Sequence, residues 1–346
     1  MKFEVIKSQD RWEEVLGKLS MNDVYYTFGY CNSCAKLQNG VALLLCYESE
    51  LGYVVYPFVR REIQTALNLR VYDIITPYGY GGPLITGGAE VLKAFRKEFQ
   101  LYCEQENIIS EVITFHPILE NALAMESYCD LQFIRKTTAV DLTDDLESIR
   151  DNYSSMNKRN IKKAHKNGLV CKEVAKTPEN IGIFMDIYNE TMNRQQSTSF
   201  YYFPVSVIEQ QLLDTSFSKS RILFVTYGEQ VIATTILLNS AHFAHYHLGG
   251  SDEKYLHLKP NNLIFDYMIE LSKKEECTLL HLGGGYEEDD GLFKYKTSFT
   301  NNNTFDYYLG KNILNRETYK LLVDEKKQTQ TLLFSGSYFP QYRSVL

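Results

Sequence analysis

The sequence predicts an α/β protein with mixed sheets, built from two tandem copies of one unit. Three observations carry this. Hairpin patterns recur at 41–58 and 222–238, each with a short turn (Glu48-Ser49-Glu50, Gly228-Glu229-Gln230) between two apolar runs. After each hairpin a strand-like run ends in a Gly-rich turn. These are 71–76 into Tyr78-Gly79-Tyr80-Gly81-Gly82 and 244–248 into Gly249-Gly250-Ser251. A helical pattern comes next: 89–106 with Val91, Leu92, Phe95 and Phe99, and 262–275 with Leu263, Phe265, Met268, Ile269 and Leu271.

The remaining elements follow in order. Strands are expected at 110–115 and 278–282, with a last strand closing each half near 136–142 and 304–309. Pro260-Asn261 is a start signal for the second of the two helices. The second half opens with a helical stretch over 146–168, for which Gly168 is a fitting C-cap. Another helix near 180–194 carries Ile183, Phe184, Ile187 and Tyr188, and the aromatic cluster Phe200-Tyr201-Tyr202-Phe203-Pro204 follows it. The tail from 313 to 346 reads as a short helix and irregular chain. The expected divisions are therefore 1–140, 141–312 and 313–346.

Composition narrows the function classes. The chain has 346 residues, 44% hydrophobic and 23% charged, which is globular and long enough for two domains. A net charge of −7 argues against binding nucleic acid by global charge, so any RNA contact needs a local basic patch. Residues 1–6 lack a signal-peptide core and no run reaches transmembrane length, so a cytoplasmic protein with reduced thiols and no stable membrane insertion is expected. Cys31-x-x-Cys34 lacks a second ligand pair and reads as two ordinary cysteines. His242, His245 and His247 have no acidic partner at useful spacing. They read as edge-strand histidines, and no metal site is expected. Glu287–Asp290 lacks the spacing of a calcium loop, and neither a G-x-S-x-G elbow nor a phosphate-binding P-loop occurs.

Two segments carry the candidate chemistry. The first is Gly291-Leu292-Phe293-Lys294-Tyr295-Lys296-Thr297-Ser298-Phe299, after a strand ending Leu282-Gly283-Gly284 and an acidic loop. If extended, it places Phe293, Tyr295, Thr297 and Phe299 on one face and Lys294 and Lys296 on the other. The second is the basic run Lys158, Arg159, Lys162, Lys163 and Lys166, which forms adjacent stripes on a helix and could hold phosphate.

Read as G-L-x-x-(Phe/Tyr)-Lys-x-x-Phe, the first segment resembles the C-terminal motif of Fem-type transferases, a branch of the GNAT acyltransferase superfamily. Asn157-Lys158-Arg159, with Ala164 and Gly168, is similar to that group's Ser/Asn-(Lys/Arg)-Arg-x-x-x-x-Ala-x-x-x-Gly stretch. Thr76–Leu84, Phe115-His116-Pro117, Leu248–Ser251 and Lys259–Asn262 fit as well, so the resemblance spans most of 40–310. It implies two tandem GNAT-like domains and an acyl or aminoacyl transferase with Lys296 as the catalytic residue, stabilising the oxyanion or positioning the acyl group. Tyr295, Asn157, Lys158, Arg159, Lys162, Tyr202, Gly249, Gly250, Ser251, Tyr80 and His116 are the implied substrate-binding residues.

The resemblance implies as acceptor the amine of a nucleotide- or lipid-linked peptidoglycan precursor peptide. Acetyl-CoA enzymes of the superfamily cradle the pyrophosphate with (Arg/Gln)-x-x-Gly-x-(Gly/Ala). The equivalent 251–260 stretch has no glycine and carries Asp252-Glu253, which repel phosphate. The expected donor is an aminoacyl-tRNA in preference to an acyl-CoA, with no tightly bound cofactor. Two alternatives stay open: an acyl-CoA-dependent N-acyltransferase acting on another small amine, and an inactive double-GNAT module that binds a peptide or glycan.

Overall fold

The computed structural model describes residues 1–19, 23–329 and 335–344. In chain order the first elements are β1 (Lys2–Ile6), α1 (Gln9–Leu16), α2 (Phe28–Leu37), β2 (Val41–Ser49), β3 (Gly52–Glu62), β4 (Tyr72–Ile75), β5 (Leu84–Thr86), α3 (Ala89–Gln105) and β6 (Ile108–Thr114). There follow β7 (Asp130–Asp141), α4 (Leu146–Asp151), α5 (Ser155–Lys166), β8 (Leu169–Val174), α6 (Pro178–Arg194), α7 (Val205–Gln211), β9 (Ser218–Tyr227), β10 (Gln230–Ser240) and β11 (Phe243–Ser251). The last are α8 (Pro260–Lys274), β12 (Leu279–Gly283), α9 (Gly291–Thr297), β13 (Thr304–Ile313) and α10 (Arg316–Thr329).

The chain forms two compact units. The first comprises Met1–Lys18, Tyr30–Ile134 and Asp306–Leu346, the second Leu19–Gly29 and Arg135–Phe305. In the first, the strand order is β1-β2-β3-β4-β6-β13, with β5 paired to β3. Its core sets Leu43, Leu45, Tyr56 and Phe58 of the hairpin against Val91, Leu92, Phe95 and Phe99 of α3, the helical positions expected from the sequence. In the second, the order is β7-β12-β11-β10-β9-β8. Here α8 supplies Leu263, Phe265, Met268 and Ile269 to a core shared with Leu223, Val225 and Leu237. Both expected hairpins are present, β2–β3 and β9–β10.

The structure corrects three expectations. The first concerns domain bounds. β13 pairs with β6 through Leu309–Ile313 against Ser110–Thr114, so the last strand of the chain completes the first unit's sheet. β7 pairs with β12 in the second, and Leu19–Gly29 also belongs to the second unit. A cut at 140 and 312 therefore does not describe the units; apolar periodicity says that a strand is half-buried, not which strand it lies against. The second concerns 146–168, which is two helices. The Ser154 hydroxyl accepts the Asn157 N–H and starts α5 afresh. The third concerns 293–299, which is not extended: it falls in α9 and the turn after it. Among the described residues no helix is long and apolar enough to cross a membrane. The tail begins with α10; 330–334 and 345–346 lie outside the described residues.

Candidate active site

The second unit contains an opening inside its own sheet. β11 and β12 run parallel and pair only through Phe243, Ala244 and His245 with Leu279, Leu280 and His281. Beyond these, no ladder joins them among the described residues. β11 continues to Ser251 against β10 alone, and Gly283 of β12 is aligned with Thr138 of β7. Parting strands leave backbone donors and acceptors on their facing edges, ready for a ligand. The β10–β11 register slips between Ile236 and Leu237, leaving His247 out of the ladder, and such bulges re-aim the side chains around them.

α9 places Lys296 at this opening. Asp290 caps the helix, accepting the Phe293 N–H at 2.7 Å, and it also takes the N–H groups of Tyr286 (2.6 Å) and Glu287 (3.2 Å). Burial raises the Asp290 pKa but these backbone donors outweigh it, so the net shift is downward and the group stays a carboxylate. Gly285 lies so close that a Cβ there would sit 2.0 Å from an Asp290 oxygen. Arg135 donates to the Gly285 and Tyr286 carbonyls, both at 2.6 Å. The 284–290 loop is thus held from both sides.

Lys296 is only 6% exposed. Its ammonium donates to the Gly284 carbonyl at 2.7 Å and lies 5.4 Å from the Tyr246 ring centroid. It therefore lies between Tyr246 on β11 and Gly284 just past the end of β12. No carboxylate lies within ion-pair distance of it among the described residues. Burial pushes its pKa down to about 8, the Asp290 charge opposing the fall and Arg135 adding to it. An ammonium has three donors, so two remain for a ligand. A buried lysine without an ion pair costs stability, a feature that clusters at functional sites. Lys294 is exposed and does not share its environment, because α9 turns the two apart.

The other nominated residues divide. Tyr295 packs edge-on against Phe265 and Phe299, and its buried hydroxyl has no partner among the described residues. Asn157 is buried: its amide donates to the Ser298 hydroxyl at 2.7 Å and accepts from Asn262 at 2.9 Å. It braces the end of α9 against α5 and α8, and its side chain is not offered to substrate. Gly250 is required by helix packing, since a Cβ there would lie 2.7 Å from the Ile187 carbonyl of α6. A Cβ on Gly249 would meet the Tyr246 hydroxyl at 2.7 Å. Ser251 is buried, its N–H donating to Thr191 at 3.0 Å. Tyr202 is exposed at the surface and donates to Asn193.

On α5, Lys158 pairs with Asp151 at 3.2 Å, while Arg159, Lys162, Lys163 and Lys166 are exposed and form no ion pair among the described residues. Tyr80 and His116 lie in the first unit, rings edge-on at 6.0 Å. The histidines of β11 are not edge residues, because β11 runs between β10 and β12. His245 is buried and its Nε2 lies 2.7 Å from Asp23, a partner 222 positions away that no local spacing reveals. Sequence reading also missed Arg135 and Asp290. Asp290, an Asp just ahead of a helix start, was the one with a readable signal.

The chain resembles known proteins in fold. Residues 153–297 match the family described as acetyltransferase (GNAT) domain. No curated protein matches the sequence. Among solved structures, FemX aligns with a TM-score of 0.71 at 12% identity, over 93% of this chain and 99% of that one. The C-terminal domain of a putative lysylphosphatidylglycerol synthetase from Agrobacterium fabrum aligns at 0.56, 13% identity, over 97% and 98%. The L-PGS structure from Bacillus licheniformis aligns at 0.59, 12% identity, over 90% and 93%. At such identities the likeness is one of fold. Residues 153–297 thus match an acetyltransferase (GNAT) domain, and the chain shares the fold of FemX.

Proposed function

We propose that this protein transfers an aminoacyl group from an aminoacyl-tRNA to a primary amine of a peptidoglycan precursor peptide. The observation that carries the reading is Lys296: a buried ammonium with spare donors, at the point where β11 and β12 part. The amine attacks the ester carbonyl directly, with no covalent intermediate on the protein. Lys296 meets the oxygen on which negative charge develops, and its low-dielectric setting strengthens that contact. The exposed cations of α5 hold donor or acceptor phosphates.

The turn ahead of α8 supports an ester donor over acyl-CoA. A pyrophosphate needs free N–H groups at a helix N-terminus. Here Pro260 occupies the first turn and has no N–H, the Asn262 side chain is turned inward to Asn157, and Asp252 and Glu253 stand in the preceding turn. These residues do not fit a CoA pyrophosphate. The test pairs calorimetry with acetyl-CoA and transfer from charged tRNA to a lysine-containing precursor peptide. Transfer without CoA binding is expected; low-micromolar acetyl-CoA binding with no transfer from tRNA overturns the reading in favour of an acyl-CoA enzyme.

A further inference from the structure

The chain as a whole has a net charge of −7, yet one segment has the opposite balance. From Tyr153 to Lys172 it carries Lys158, Arg159, Lys162, Lys163, Lys166 and Lys172, and no Asp or Glu. The segment is α5 and the start of β8. Asn157 and Ala164 of α5 are buried and Ile161 packs on the second unit's core. Helical spacing therefore turns Met156, Arg159, Lys163 and Lys166 outward as one stripe, with Lys162 beside it. All five are exposed, Met156 to 62%.

β8 is the last strand of the second unit's order, and its Val170 is 55% exposed. Val170 borders a recess of about 230 Å³ that Leu169, Cys171, Leu263, His165 and Arg150 also line. The end of α5 and the edge strand thus meet at one apolar hollow beside the cations. The acidic groups around this face are already taken. Asp266 and Glu270, which share the recess, are held by Arg150 at 2.8 and 2.7 Å. Asp151 pairs with Lys158 at 3.2 Å, and Glu173 of β8 with Arg221 at 3.4 Å.

An RNA backbone would use the cations alone. Met156, Val170 and the recess gain only from a partner with apolar parts. A lipid headgroup layer uses both, since its phosphates meet Lys and Arg while apolar side chains between them enter the interface. With the chain acidic overall, attraction to an anionic surface has to be local to such a face. We propose that the α5–β8 face docks the protein on an anionic phospholipid membrane. Arg159, Lys162, Lys163 and Lys166 lie at the headgroup phosphates, and Met156 and Val170 enter the interface. The contact is with the surface: among the described residues no helix is long and apolar enough to cross a membrane. The proposal goes beyond the transfer reading and stands without it. The two are compatible, because a lipid-linked acceptor carries its phosphates in the same headgroup layer.

The test is flotation of the full chain with vesicles of phosphatidylcholine, alone or mixed with phosphatidylglycerol. Wild type should float with the mixed vesicles, stay behind with phosphatidylcholine, and be released as salt is raised. Replacing Arg159, Lys162, Lys163 and Lys166 together by Gln should weaken partition by about 10²-fold or more, at roughly fivefold for each cation near such a surface. Lys93→Gln with Lys97→Gln, exposed cations of α3, is the control and should leave partition unchanged. Met156→Ser with Val170→Thr should weaken partition about fivefold and leave binding of total tRNA as it was. Every substituted position is exposed, so melting curves should match wild type; if the Val170 change lowers Tm, Met156→Ser alone repeats the test. Flotation that does not depend on phosphatidylglycerol, or none at all, overturns the proposal, as does partition that the four Gln leave intact. Partition insensitive to Met156 and Val170 overturns it too, and competition by tRNA would then mark a face for nucleic acid. No readout here uses the transfer reaction, so failure of the transfer reading would leave this result standing.

Discussion

In the first unit β4 and β6 stay laced together past their parallel pairing; in the second β11 and β12 part after His245 and His281. The lacing is explicit. After Ile75↔Val112, Thr76 donates to the Val112 carbonyl at 3.0 Å, Gly81 to that of Thr114 at 2.8 Å, and His116 to that of Gly81 at 3.1 Å. The Asn121 amide then ties the carbonyls of Gly81 and Pro83. Gly81 is needed for this closeness, since a Cβ there would lie 2.7 Å from Thr76 Cγ2. The same element order thus gives a closed sheet in one unit and a gap in the other. In the first unit the backbone groups are used internally, whereas in the second no ladder joins the two strands beyond His245 and His281 among the described residues. On the proposed function, chemistry belongs to the second unit and scaffolding to this part of the first.

The largest test of that contrast is Lys296→Ala. Loss of one oxyanion donor should lower kcat by ~10²–10³, while Lys294→Ala, on the exposed side of α9, should stay near wild type. Unchanged single-turnover transfer by Lys296→Ala would erase the difference between the units. Next in size, replacing Lys158, Arg159 and Lys162 together by Gln should raise KM for a phosphate-bearing substrate by about tenfold at low salt and flatten its salt dependence; an unchanged KM would leave α5 as a solvated face.

A smaller effect sharpens the electrostatics. With its pKa near 8, Lys296 should lose its proton as pH rises, so kcat should fall above about pH 8. Asp290→Asn keeps a capping oxygen but removes the charge that holds the Lys296 pKa up, so the alkaline limb should move to lower pH. A limb that stays in place removes Asp290 from the account. Stability has the opposite sense. The buried ammonium costs stability below about pH 8, and the cost is relieved as pH rises toward 10.5, where the unfolded chain also loses the proton.

The smallest effect on turnover is expected in the first unit. Asn121→Ala should cost about 1–3 kcal/mol through the lost bonds to the Gly81 and Pro83 carbonyls, seen as a lower Tm, with kcat unchanged in the surviving fold. A fall in kcat at full stability would show that the laced strands do more than hold the sheet.

Much of this was legible and some could not have been. The hairpins at 41–58 and 222–238 were readable because apolar runs and Gly or acidic turns are local. The helix α8 was readable because Leu263, Phe265, Met268 and Ile269 keep helical spacing. Lys296 was singled out by its motif, but its strand geometry was wrong. Phe293, Tyr295 and Phe299 suit an alternating strand as well as a short helix, and the Asp290 cap that decides between them lies upstream. Asp23 was out of reach, since it meets His245 only through the fold. The partners of β7 and β13 were equally hidden, as period-2 alternation names a face and not a neighbour.

That last arrangement has a consequence for synthesis. As the chain leaves the ribosome, residues 30–134 emerge early, yet β6 must wait for Leu309–Ile313 before its ladder is filled. Until then the nascent first unit carries an unpaired strand edge, the kind of surface that holding chaperones bind and that aggregation exploits. The second unit likewise collects Leu19–Gly29 from a segment made long before its own sheet. A truncation at residue 140 should consequently yield an insoluble fragment rather than a free domain.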